Sequence, residues 1–158
     1  MMTDILNKVS PFGVSLVRFG MSAVFIMFGF WQLVGPDLWT AFVPPYAANL
    51  VGGNTIMLVL LNGWFELIAG LMLLVGLQVR TVSLLLGVHL ALISQSLGFS
   101  QLGVRDIGLS VATLSIFLSG HDPLSLDRLF ANQRNMKISP ADQEDDNIPR
   151  YNSISRRF

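Results

Sequence analysis

The chain has 158 residues, 52% of them hydrophobic and 13% charged, with ten basic and ten acidic side chains and no cysteine. A soluble domain usually carries about 25% charged residues, so this composition, with a mean hydropathy of +0.58, is that of a membrane protein. Zero net charge gives no basic footprint for nucleic acid. The absence of cysteine excludes disulfides, thiolate chemistry, zinc–thiolate sites and cysteine-ligated iron–sulfur clusters.

Four apolar runs lie at about 12–34, 55–77, 82–98 and 104–119. Each approaches the roughly 20 residues that cross a ~30 Å hydrocarbon core. The expected fold class is therefore all-α, a four-transmembrane-helix bundle forming one domain over residues 1–130. The first run contains Arg18 and ends in Phe28-Gly29-Phe30-Trp31-Gln32. It is longer than the core of a signal peptide, and Gly-Pro-Asp follows it where a small-residue cleavage site would stand.

The connection 35–54 contains two helix breakers and a dense set of aromatics. Trp39, Phe42 and Tyr46, with Trp31 before them, suit the membrane–water boundary. Pro36 fits the first turn of a short interfacial helix that stops before Pro44-Pro45. Two readings stand for this loop, a plain interfacial connector or a lid over the bundle.

The second run carries Glu66 and the third carries His89. Between Asp37 and Arg105 the only other formally charged residue is Arg80, in the turn between these runs. An ionisable side chain at mid-bilayer depth costs about 2.5–3.5 kcal/mol on insertion scales, so by default it marks function and has a partner. The short turn makes the two helices antiparallel neighbours, which permits a Glu66–His89 contact. Asn62 lies one turn before Glu66 on the same helix face. The pair reads either as a site facing the bundle interior or as polar glue between helices. Arg18 either snorkels to the near surface or turns inward, toward Glu66 or toward the Arg80 end.

The fourth run opens with Arg105-Asp106, expected in its first turn, where Asp106 is favoured by the helix dipole. Arg105 reads as an ion-pair or ligand-binding residue, and Asp106 as a ligand-binding or capping one. Only His89 among the two histidines lies inside a run, His121 being a helix-end residue, so haem and metal binding are not expected.

Lys and Arg placement orients the chain. Lys8, Arg80 and the six basic residues from Arg128 to Arg157 fall on one side, whereas 35–54 has none. The positive-inside rule then puts both termini in the cytoplasm. Most charged residues lie after Gly120, and residues 131–158 have too few apolar side chains to build a core. A disordered polar cytoplasmic tail is expected there.

The chain resembles the DoxX family of small bacterial four-helix membrane proteins, which includes DoxD-like subunits of thiosulfate:quinone oxidoreductase. The likeness rests on Arg18, on Phe-Gly-Phe-Trp-Gln-Leu at 28–33, and on Asn-Gly-Trp-Phe-Glu-Leu-Ile-Ala-Gly-Leu-Met-Leu-Leu-Val-Gly at 62–76. Arg80-Thr81 and Arg105-Asp106-Ile107-Gly108-Leu109 complete it. Gln32 stands where the family usually carries a Lys. The resemblance implies a multi-pass protein of the bacterial inner membrane, acting as a membrane subunit of a quinone-linked oxidoreductase system. It implies quinone as the ligand and another subunit, or a second copy of the chain, as partner beside the lipid bilayer. On that reading Glu66 and His89 are the catalytic candidates, and Arg18, Asn62, Arg105, Asp106 and Trp39 bind the ligand. The alternative is a non-catalytic membrane component, an assembly partner or a small-solute carrier.

Overall fold

The structure, a computed structural model, describes residues 10–120 and 122–128, which belong to one compact unit. His121 and the tail expected at 131–158 lie outside the described residues. After a 3-10 turn at Ser10–Phe12 come five helices: α1 (Gly13–Val34), α2 (Pro45–Leu50), α3 (Thr55–Val75), α4 (Val79–Leu97) and α5 (Gln101–Ser119). A 3-10 helix, Pro36–Phe42, precedes α2 in the first connection. The four long helices are each apolar and long enough to span a membrane. The first connection thus holds two short helices, because Pro45 does not end one but starts another at a position that tolerates proline.

Two helix starts fall three residues earlier than the apolar runs indicate. Polar residues interrupt both starts: Arg80-Thr81 follows Val79 in α4, and Gln101 follows Ser100, whose hydroxyl accepts a hydrogen bond from Gly103 N at 3.1 Å to cap α5. Asp106 therefore sits in the second turn of α5, facing inward, and does not cap that helix.

The polarity is inside-out. About a third of each span is buried within the bundle, and those positions include Ser15, Arg18, Ser22, Gln32, Glu66, Ser83, Ser94, Asp106, Ser110 and Thr113. Phe30, Trp64, Ile68, Leu85 and Val111 point outward. In lipid the polar groups must be satisfied inside the protein, and the apolar faces lose nothing by exposure.

Packing concentrates in two antiparallel pairs, α1 with α3 and α4 with α5. In the first pair, small residues bring the backbones together. A Cβ on Gly29 would stand 2.6 Å from Leu67 N and 2.7 Å from Gly63 O, so any larger residue there separates the helices. In the second, the Ser110 hydroxyl donates to Gly87 O at 2.8 Å and the Ser94 hydroxyl to Gly103 O at 2.9 Å.

The two pairs are joined at the end opposite the 35–54 connection. There the Arg18 guanidinium, fully buried, uses all five N–H groups. Nε donates to Asp122 Oδ2 at 2.6 Å, Nη1 to the carbonyls of Leu73 and Leu74 at 2.7 and 2.5 Å, and Nη2 to Asp122 Oδ1 at 3.4 Å and Leu124 O at 3.2 Å. Arg18 thereby satisfies carbonyls that the end of α3 leaves free. Gly76, at φ 74°, closes that helix, and a Cβ there would lie 2.6 Å from Ser125 Cα. Asp127 completes the clasp, its carboxylate accepting from the N–H groups of Gln78 and Val79 at 2.9 and 2.8 Å at the start of α4.

Burial alone would raise the Asp122 carboxyl. The Arg18 and Leu124 N–H donors and the Arg18 charge outweigh it and hold the group below its ordinary value of 3.8. A carboxyl so depressed contributes its full stabilisation above that ordinary value and loses it as pH falls through the lower folded value. The unfolding temperature of the purified protein is therefore expected to decline in acid below about pH 4, and Asp122→Asn is expected to remove that decline. Arg18→Met leaves a buried carboxylate unpaired and is expected to cost about 3–5 kcal/mol, read as a large drop in unfolding temperature in detergent. An unfolding temperature unchanged in Arg18→Met would show that the clasp does not hold the bundle.

Candidate functional site

Asn62 and Glu66 occupy one face of α3 a single turn apart, and the close approach at Gly29 and Gly63 brings Gln32 of α1 against both. The three side chains close a ring. Gln32 Nε2 donates to Glu66 Oε2 at 2.9 Å, Asn62 Nδ2 donates to Glu66 Oε1 at 3.0 Å, and Asn62 Nδ2 also donates to Gln32 Oε1 at 2.7 Å. Both carboxylate oxygens thus accept from amides.

From α4, His89 Nε2 approaches Glu66 Oε1 to 3.4 Å, within ion-pair range. The approach lacks hydrogen-bond geometry, so Nε2 is buried with no hydrogen-bond partner. The distance describes the pairing available to a protonated imidazole, and the missing hydrogen bond describes the present orientation. Phe65 fixes the ring edge-on, its centroid 4.9 Å from that of His89.

Arg105 and Asp106 form a pair of their own on α5. Nε and Nη2 of Arg105 both lie 2.8 Å from Asp106 Oδ1, and the guanidinium stands 5.3 Å above the Phe28 ring. Aromatic contacts continue from there: Phe28 meets Trp39 edge-on at 5.6 Å, and Trp39 meets Phe42 at 6.1 Å. The first connection is thereby held against α1 by ring packing.

Between the two helix pairs lies a cavity of about 730 Å³. Its walls are mostly apolar and aromatic, with Gln32, Asn62, Glu66 and His89 from α1, α3 and α4 and Arg105 and Asp106 from α5. Its lining residues come from the 35–54 connection and from the halves of the helices nearest to it, with Glu66 at the middle of α3.

The structure thus brings six of the seven expected site residues, Glu66, His89, Asn62, Arg105, Asp106 and Trp39, to one cavity. Arg18 is the exception: of the alternatives open to it, it turns inward toward the Arg80 end. It neither pairs with Glu66 nor lines this cavity, because every donor it has is engaged at the other end of the bundle. Two residues with fixed roles were not singled out from the sequence. Gln32 stood out there only as a departure from the family's Lys, although its place three residues after Gly29 puts it on the same helix face. Asp122 sits outside any span and carried no signal that it pairs with a residue 104 positions away. Among the described residues, no group of three or more His, Cys, Asp or Glu side chains could hold a metal ion.

A four-helix membrane bundle with a ligand-sized cavity between its helix pairs defines the class of this protein. The DoxX family model matches residues 13–95, more than half of the chain, and the chain belongs to that family. No curated protein and no solved structure matches the chain significantly.

The ring around Glu66 makes a stability prediction. Gln32→Leu removes the donor to Oε2 and the acceptor for Asn62, leaving buried polar atoms unmade. The expected cost is about 1–3 kcal/mol, read by thermal unfolding in detergent. An unfolding temperature equal to wild type would mean that the amide ring does not form.

Proposed function

We propose that this DoxX-family protein is the membrane subunit of a quinone-linked oxidoreductase system, with its cavity receiving the quinone ring. The observation that carries the reading is the cavity itself. Apolar and aromatic walls enclosing a few fixed polar groups are the usual make-up of a small-molecule site.

The residues fit such a ligand. Phe28, Trp31 and Trp39 offer ring faces and edges to a flat aromatic head group, and Leu58, Leu90 and Ile93 offer aliphatic contact to the start of a tail. His89 Nε2 is buried and unpartnered, which makes it a donor or acceptor for a ligand oxygen. Arg105, about half-exposed on its side chain, has N–H groups beyond those it gives Asp106. A quinone, when bound, supplies a two-electron, two-proton couple.

The chain's own part is binding and proton handling. His89 holds or releases a proton at Nε2, and Glu66 Oε1, 3.4 Å away, is placed to receive it. Gln32 and Asn62 keep the carboxylate turned toward His89. With no cysteine in the chain, electron delivery is assigned to a partner protein or to the substrate itself. The Lys and Arg asymmetry supports an inner-membrane orientation with both termini cytoplasmic and the cavity on the external side.

The test is isothermal titration of a short-chain benzoquinone analogue into the protein in nanodiscs. Saturable binding is expected in the wild type. Arg105→Ala and Trp39→Ala are each expected to weaken it about tenfold, equivalent to ~1.4 kcal/mol. No binding in the wild type, or unchanged binding in both variants, would remove this function and favour a non-catalytic membrane component.

A further inference from the structure

Among the described residues, no Lys or Arg pairs with the buried carboxylate of Glu66. The groups around it are Gln32 from α1, Asn62 from its own helix and His89 from α4. From α5 the charged residues that line the same cavity are Arg105 and Asp106, and they neutralise each other. Arg18, the cation of α1, is committed to Asp122 and to three carbonyls at the far end. A buried charge must be paired or neutralised. Among the described residues, what can neutralise Glu66 is a proton, either on His89 or on the carboxyl itself.

The routes to this pair are unequal. Toward the 35–54 connection the cavity runs along His89, Ile93 and Ser96 of α4. Toward the other end the bundle is closed by Phe25, Leu73, Leu86 and Ile116, none more than 2% exposed, and beyond them by the Arg18 clasp. Ser22 and Ser83, within that closed half, are fully buried, and their hydroxyls donate to carbonyls of their own helices.

We infer that Glu66 and His89 form a proton-exchange site served from one face of the membrane only, through the mouth beside the Pro36–Phe42 helix. The inference deepens the cavity's assigned role, for it fixes which compartment supplies or takes the proton when a ligand reacts there. Passage of a solute through the bundle would require the closed half to open and the five hydrogen bonds of Arg18 to break. The site is a dead end.

The natural absence of cysteine makes the test clean. Single cysteines at Ile93, Ser96, Ser22 and Ser83 are exposed to a membrane-impermeant methanethiosulfonate in sealed vesicles of each orientation. Ile93→Cys and Ser96→Cys are expected to label from the side bearing the 35–54 connection at least tenfold faster than from the other. Ser22→Cys and Ser83→Cys are expected to label from neither. In the same vesicles, infrared titration is expected to show a pH-dependent carboxyl band that disappears in Glu66→Gln.

Labelling of Ser22→Cys or Ser83→Cys at a rate within threefold of Ile93→Cys would overturn the closed half. No labelling at both Ile93→Cys and Ser96→Cys would overturn the open mouth. A carboxyl band unaltered in Glu66→Gln would overturn the proton site. None of these readouts depends on quinone binding, so failure of the quinone titration with one-sided labelling intact would leave this inference standing.

Discussion

The bundle is organised around one cation. Arg18 is fully buried and gives each of its five N–H groups to an acceptor drawn from the end of α3 or the segment after α5. A guanidinium in that position is tolerable only when its charge is balanced and its donors are all used. Asp122 provides the balance, and the orphan carbonyls of α3 provide the rest. This arrangement draws the two helix pairs together at one end and leaves them apart at the other, where the cavity lies. It also removes Arg18 from any part in neutralising Glu66.

The cavity owes its chemistry to backbone proximity. The contact between Gly29 and Gly63 is close enough to bring an amide of α1 onto a carboxylate of α3. With Gln32 and Asn62 both donating, the carboxylate is oriented by neutral groups, and the remaining titratable neighbour is His89 at 3.4 Å. The polar cluster is thus fixed in geometry, with two ionisable side chains set side by side. That combination suits a site where a ligand takes up or gives off protons.

Much of this was legible in the sequence because membrane insertion imposes a simple code. Apolar runs of the right length indicated four spanning helices, and isolated ionisable residues within them indicated Glu66 and His89 as inward-facing. The i, i+4 spacing placed Asn62 beside Glu66. What escaped was fixed by contacts between distant segments. Asp122 lies beyond the last span, and only the folded chain reveals that it meets Arg18. Gln32 carries no charge, so the pattern of isolated ionisable residues does not mark it. The starts of α4 and α5 fall before the apolar runs because Arg80-Thr81 and Gln101 lie in their first turns and lower the local hydropathy there.

The central claim is that the cavity beside Glu66 receives a quinone-like ring. Photoaffinity labelling with an azidoquinone, followed by peptide mapping, tests it directly. Adducts are expected within the cavity-lining segments 28–42 and 89–97, suppressed by excess unlabelled quinone. Adducts confined to outward-facing residues such as Leu16, Ile68 and Val111, with no competition by unlabelled quinone, would contradict it.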